Sequence, residues 1–299
     1  MIVRRLLCVA LLALMASPGM AQERCTAEPV ASLPIVILGG NAVVPVQVND
    51  QPALFLIDST GVASAISETA VARLKLKTFS MRADRAIRGV GGVEARGYAL
   101  IDALVLGNLK AEGERYMIGE FGPGIDGRLS HDYLRNFDLD LNFPANRLDL
   151  YRPRACTGNP PGSGEFSSLG MDVMRTGHIR IPVTLDGKDV WAMVGIGSDG
   201  GSIGADAARS YFDVKASQTG RILVHGTTGG TAEAAPHIFS SLQLGNFTVP
   251  RPVFAIAVNE YDLRSEQSQL TLGLAAMQGL RFYVSYRERK FYVSRPAAR

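Results

Sequence analysis

Across residues 43–67, VVPVQVNDQPALFLIDSTGVASAIS, apolar and polar positions alternate, pass through Asn49 and Asp50, and enter a second apolar run from Ala53 to Ile57. A period of two interrupted by two turn-forming residues predicts a β-hairpin with one buried face. The same pattern returns in residues 180–204, RIPVTLDGKDVWAMVGIGSDGGSIG, which align without a gap when Pro182 is set on Pro45. Asp186 and Gly187 fall in the turn, and Val190 to Val194 form the second run. Beyond a loop of small residues Ile203 still faces Ile66 and Ala207 faces Ala70, and each copy then reads as a short helix, Ser67 to Leu76 and Ala205 to Phe212. Leu106-Gly107-Asn108 and Leu244-Gly245-Asn246 repeat one residue out of that frame, so one loop has gained a residue. Each copy closes on a short helical stretch and a strand-rich segment, FDLDLNFPANRLDLY (137–151) and LRFYVSYRERKFYV (280–293), read as terminal hairpins.

This periodicity defines two similar lobes, 28–153 and 171–296, separated by RACTGNPPGSGEFSSLG (154–170), whose Pro, Gly and Ser density is that of a linker. Short turns between strands and only a few short helices predict an all-β architecture; a parallel α/β sheet would need long crossover helices. With 46% hydrophobic and 20% charged residues and a net charge of +3, the chain reads as a soluble globular protein. Its basic residues are scattered and form no run that would track phosphates, so no nucleic-acid partner is expected.

Residues 1–21 combine Arg4 and Arg5, an apolar run from Leu6 to Met15 and small residues up to Ala21, the pattern of a signal peptide cleaved after Ala21. The run is too short to span a bilayer, so a soluble exported protein, periplasmic or secreted, without a membrane span is expected. Cys8 leaves with that segment, and Cys25 and Cys156 remain. An even pair in an oxidising compartment suggests one disulfide, with two free thiols as the alternative.

The end of the first apolar hairpin carries the chemistry. Leu54-Phe55-Leu56-Ile57 leads into Asp58-Ser59-Thr60-Gly61, with Ser64 and Ile66 following at fixed spacing. In this stretch the chain resembles the bilobal aspartic proteases of the pepsin and retropepsin group, whose apolar strand ends in Asp-Thr/Ser-Gly. The resemblance extends over nearly the whole mature chain. It implies two β-barrel lobes around a central cleft, a catalytic acid at Asp58 and a loop-linking hydroxyl at Ser59. It also implies a glycine-rich flap, either at Gly89, Gly91 and Gly92 or at Gly226 and Gly229. DGRLSHDYL (126–134) resembles the family's second apolar-glycine segment with Ser130 where Gly is usual, and LTLGLAAM (270–277) keeps that glycine as Gly273. Thr60 adds a β-branched side chain where the family has none.

The second copy departs further. Gly195 takes the position of the second aspartate and Ile196 that of its hydroxyl, while Gly197 and Ser198 keep the remainder of the motif. Hydrolysis by this route needs two neighbouring carboxyls sharing a proton, one activating water and the other protonating the carbonyl oxygen. Two readings therefore stand side by side. One is a peptide-binding homologue that has lost hydrolysis; the other is an active aspartic endopeptidase that recruits Asp199, four residues later, as partner to Asp58. Both predict a monomer with a peptide or protein ligand and no cofactor.

Three weaker motifs are set against plain structural roles. Gly195, Gly197 and Gly200 spell G-x-G-x-x-G, but the next strand-like stretch runs into His225 and Gly226 without an acid to hold a ribose. Gly200, Ser202 and Gly204 spell G-x-S-x-G, the remote option of a serine hydrolase at Ser202, in a chain without the βα units that such an elbow is built on. His131, His178, His225 and His237 show no ligand spacing, so no metal is expected and each reads as a surface or loop histidine. Trp191 is expected to pack in the core.

Overall fold

A computed structural model describes residues 25–61, 63–81, 87–88, 94–95, 97–158, 160–161, 165–197, 199–216, 220–225, 231–258 and 270–295. The alternation in the sequence becomes burial directly. In the Asn41–Val48 strand Val44, Val46 and Val48 point inward while Pro45 and Gln47 face out. In the Ile179–Leu185 strand Ile181, Val183 and Leu185 are buried and Pro182 is exposed. Each strand folds back antiparallel on its neighbour, Gln51–Ile57 or Lys188–Val194. Asn49 and Asp50 take positive φ of 49° and 63°, and Asp186 and Gly187 take 46° and 76°, the left-handed pairs that a two-residue hairpin turn with native twist demands.

The bonds of the two lobes match pair for pair. Gln47 faces Val105 and Val48 faces Leu104 in the first, as Thr184 faces Gln243 and Leu185 faces Leu242 in the second. The chain then makes a parallel crossing in each lobe. Gly127–Leu129 pairs with Phe55, Leu56 and Ile57, and Leu270–Leu272 pairs with Ala192, Met193 and Val194. Ala65–Ser67 and Gly201–Ile203 close against these crossings. Among the described residues an eight-stranded sheet forms the first lobe and a ten-stranded sheet the second.

A third, six-stranded sheet joins the lobes, in the order Ala31–Pro34, Arg147–Tyr151, Asp138–Asn142, Arg281–Ser285, Lys290–Ser294, Ser167–Gly170. The two predicted terminal hairpins meet at its centre, Leu139 opposite Val284 and Leu141 opposite Phe282. Arg281 crosses this seam to Asp140 through two hydrogen bonds and donates a third to the carbonyl of Pro161. One contiguous apolar cluster runs through all three sheets, from Val44 and Ile57 through Leu139 and Phe282 to Ile181 and Leu272. The fold is all-β with short helices, in two similarly built lobes joined by the six-stranded sheet.

Four details differ from the sequence reading. The first helix spans Glu68–Arg73, shorter than expected, with the Ser67 side chain capping the amide of Ala70. The stretch read as a linker ends in a strand, Ser167–Gly170, because the Lys290–Ser294 edge offers it a ladder. Trp191 lies on the outward face of its strand, 37% exposed, opposite Pro182 and under the Arg180 guanidinium at 5.0 Å. Period-two alternation forces this, since Val190 and Ala192 on either side point inward. His131 is buried, and His178 is half-buried against it.

Cys25 and Cys156 are bonded, with Cα atoms 5.2 Å apart, tying the start of the described chain to the end of the first lobe. Among the described residues no helix is long and apolar enough to cross a membrane.

Candidate active site

Asp58 follows the last residue of the Gln51–Ile57 strand and is 2% exposed. Its amide donates to the carbonyl of Leu129 at 2.9 Å, which pins the loop to the parallel crossing. Gly195 follows the Lys188–Val194 strand, and its amide donates to the carbonyl of Leu272 at 2.8 Å. The two residues thus occupy matching positions in the two lobes, one with a carboxylate and the other with no side chain.

The Asp58 carboxylate is held inside its own lobe. Oδ1 accepts from the Thr60 amide at 2.8 Å and from Thr60 Oγ1 at 2.7 Å. Oδ2 accepts from Arg128 Nη1 at 3.3 Å, an ion pair in which both side chains are buried. Arg128 comes from the middle of the first crossing, donates through Nε to the carbonyl of Ala63, and lies 5.9 Å from the Phe121 ring centroid. Thr271 holds the matching place in the second crossing, opposite Met193 as Arg128 is opposite Leu56.

Backbone crowds the acid from both sides. A Cβ on Gly61 would sit 2.7 Å from Asp58 Oδ2, and one on Gly197 would sit 2.7 Å from both Cβ and Oδ1 of Asp58. Any larger residue at either position would displace the carboxylate. The Ser59 hydroxyl stitches the lobes together here. Ser59 Oγ donates to the carbonyl of Val194 at 2.5 Å and accepts from the amide of Ile196 at 3.1 Å. Ile196 is buried and apolar, so the bond is not returned from the second lobe.

A family model described as aspartyl protease matches residues 44–133 and 181–276, one segment in each lobe and more than half of the chain together. The chain belongs to the aspartyl protease family. Among solved structures it is similar to basic 7S globulin from soybean, at 10% identity and a TM-score of 0.49, covering 88% of this chain and 94% of that one. It is also similar to a retropepsin-like aspartic protease from Rickettsia conorii, at 17% identity and a TM-score of 0.34, covering 44% of this chain and 94% of that one. Comparison with curated protein sequences returns no match.

In this member of the aspartyl protease family the structure brings together Asp58, Ser59, Thr60, Gly61, Gly195, Ile196 and Gly197. Ser198 lies outside the described residues. Asp199 does not join the group: its side chain is exposed and its carboxyl carbon lies against Gly40, at the turn after the Val36–Leu38 strand. Ser202 is set within the Gly201–Ile203 strand, paired with Ala255 on one side and Thr271 on the other, which is no strand-to-helix elbow. Gly195, Gly197 and Gly200 belong to this loop and its link to that strand instead of opening a helix, and of the three it is Gly197 that packs on Asp58. The flap candidates Gly89, Gly91, Gly92, Gly226 and Gly229 lie outside the described residues; the strands flanking them pair, Ile87 with Ala95 and Ile222 with Ala234. Among the described residues no group of three His, Cys, Asp or Glu side chains is arranged to hold a metal ion.

Three neighbours of the site were not singled out from the sequence. Arg128 stands in an otherwise apolar strand, and that charge was the available signal. His131 and His178 meet across the lobes with ring centroids 5.8 Å apart. His131 Nδ1 shares a hydrogen bond with the carbonyl of Gly61 at 3.0 Å, and Gly177 packs directly on the His131 ring, where a Cβ would come within 1.9 Å. His178 Nδ1 pairs with Thr176 Oγ1, and burial followed by the nearness of His131 pushes the His178 imidazole below its ordinary range. Ser130 Oγ is buried without a partner among the described residues, aimed at Gly61.

Proposed function

We propose that this aspartyl protease family member is an exported peptide-binding protein that holds an extended segment in the cleft between its lobes and does not hydrolyse it. One observation carries the reading: the position facing Asp58 is filled by Thr60. Its hydroxyl hydrogen-bonds Asp58 Oδ1 at 2.7 Å, and its Cγ2 lies 3.3 Å from where a Cβ on Gly195 would be. Thr60 and Gly195 are complementary, a side chain gained in one lobe in the space of one lacking in the other. On this reading Gly195 stands where the second aspartate was lost, and the two lobes derive from a duplication.

Acid–base hydrolysis of a peptide needs a carboxylate that takes a proton from water and a carboxylic acid that gives one to the carbonyl oxygen. A threonine hydroxyl cannot supply the second group, because its proton, though hydrogen-bonded to the carboxylate, is far too weakly acidic to be transferred to the carbonyl oxygen. Peptide binding makes no such demand: backbone pairing to a hairpin edge supplies affinity, and alternate side chains fill pockets. The Cys25–Cys156 bond supports export to an oxidising compartment such as a periplasm.

The test uses the mature chain from Gln22 onward and a mixed peptide library between about pH 3 and 7, read by mass spectrometry, with peptide binding followed by fluorescence anisotropy. Saturable binding is expected, with no cleavage above the level of the Asp58→Asn variant. Acid-dependent cleavage that Asp58→Asn abolishes would overturn the proposal. If Asp199→Asn abolished it as well, the recruited-aspartate route would replace it.

A further inference from the structure

Besides the Ser59 grip, the lobes touch through two imidazoles. His131 opens the His131–Leu134 helix of the first lobe. His178 closes a tight turn of the second, in which the Met174 amide donates to the His178 carbonyl and the Gly177 amide to the Met174 carbonyl, both at 2.9 Å. The rings meet edge to face, with centroids 5.8 Å apart and planes at 77°. Gly177 is buried, and a Cβ there would come within 1.9 Å of His131 Cδ2 and 2.3 Å of its Nε2, so turn and ring leave no room for a side chain between them.

The hydrogen bonds of this contact suit neutral rings. His131 Nδ1 faces the Gly61 carbonyl at 3.0 Å, which only an N–H can satisfy, so the lone pair of the neutral ring is on Nε2. His178 Nδ1 is engaged with Thr176 Oγ1 at 3.1 Å, and its Nε2 is buried with no hydrogen-bond partner among the described residues. A charged His178 carries an N–H on each nitrogen, and the one on Nε2 would find no acceptor at bonding distance.

The charged groups around the pair do not remedy this. Burial, then the facing His131, lower the proton affinity of His178 more than Asp58 and the Thr60 backbone raise it, and Arg128 adds to the lowering. Asp58 is already ion-paired with Arg128, Asp132 beside His131 is held by the Ser64 amide and hydroxyl, and Arg175 in the turn is exposed.

We propose that His131 and His178 form a proton-operated latch between the lobes, closed while both rings are neutral and released when acid charges them, with the six-stranded sheet left intact as the hinge. Release puts His178 in water, where it takes a proton at its ordinary value near 6.5, so the open form gains on the closed one as pH falls through that value. Retention of a peptide between the lobes should then weaken in acid. That consequence rests on the peptide-binding reading above; the latch itself does not.

Hydrogen–deuterium exchange of the mature chain without ligand, at about pH 7.5 and 5.5 and corrected for the intrinsic pH dependence of exchange, tests the latch. Exchange in 58–61 and 174–179 should rise at least about threefold in acid, while 139–150 in the joining sheet stays protected. His178→Asn, whose amide can keep the Thr176 bond, should abolish the rise, and His131→Asn, which keeps a donor for Gly61, should reduce it; either variant suffices if the other fails to fold. No rise in the parent, an equal rise in a folded variant, or an equal loss of protection across the joining sheet would each overturn the proposal. The mixed peptide library, labelled with tetramethylrhodamine and followed by anisotropy, then reads the consequence. Affinity should fall at least about threefold over the same interval in the parent and stay constant in His178→Asn. Constant affinity in a parent whose exchange responds would overturn the latch's hold on the cleft, whereas no binding at any pH would count against the peptide-binding reading alone.

Discussion

At the scale of single residues the site is organised by what Asp58 is bonded to. A buried carboxylate between backbone glycines needs donors, and this one takes them from Thr60 and Arg128 within its own lobe. Removing one member of a buried ion pair leaves the other uncompensated. Arg128→Met should therefore destabilise the protein by about 3 kcal/mol in urea unfolding, near the low end of the usual range because Thr60 still supplies two bonds. Adding Asp58→Asn should recover a good part of that loss; if the double variant is no more stable than Arg128→Met, the pair is not what holds Arg128 in place. Asp58 and Ser59 could be singled out from the sequence because their motif is contiguous. Arg128 offered only its charge in an apolar strand as a signal, because its partner lies 70 residues away and only the parallel crossing brings them together.

At the scale of elements the alternating pattern carries most of the information. Both hairpins, their two-residue turns and the two terminal hairpins stand where the periodicity puts them, since a period of two with left-handed turn residues leaves few other ways to bury the apolar face. The misreadings have different causes, one a partner supplied from elsewhere in the chain and the other a local pattern overlooked. Ser167–Gly170 is a strand because a ladder was available, and Trp191 was expected in the core on its size while its neighbours dictate the outward face. The second crossing also sets a packing limit that the motif merely hints at. A Cβ on Gly273 would come within 2.1 Å of the Gly200 backbone, which cannot swing away as a side chain could. Gly273→Ala should thus cost at least about 1–3 kcal/mol by thermal or urea unfolding. Gly204→Ala, with nothing within 4 Å, should be nearly neutral, and similar losses for both would contradict the crossing as the cause.

At the scale of the molecule the lobes are joined by the six-stranded sheet, the Ser59 grip and the contact of His131 with Gly177 and His178. The groups electrostatically coupled to His178 are His131, Asp58 and Arg128, with the Thr60 backbone also in reach; burial and His131 lower its pKa more than Asp58 and Thr60 raise it. With the folded pKa below the unfolded one, the unfolded chain binds the proton more tightly. Stability from this group is then complete above the ordinary histidine value near 6.5 and is lost as pH falls from there toward the lowered folded value. Urea midpoints measured between about pH 7.5 and 5 should decline, and His178→Asn should flatten that decline. An unchanged slope in the variant would assign the pH dependence elsewhere.

Local order in this protein was settled by its residue pattern: where the strands run, which face each one buries, where the turns fall, and which acid ends the first hairpin. Those features depend on backbone geometry and burial within a few residues, and both are written along the chain. The tertiary structure alone decided that Thr60 fills the space facing Gly195, that Arg128 reaches Asp58, and that Asp199 turns away to Gly40. Each of these is a contact between residues from separate elements, and its energy exists only once the crossings and the seam between the lobes have brought the groups together.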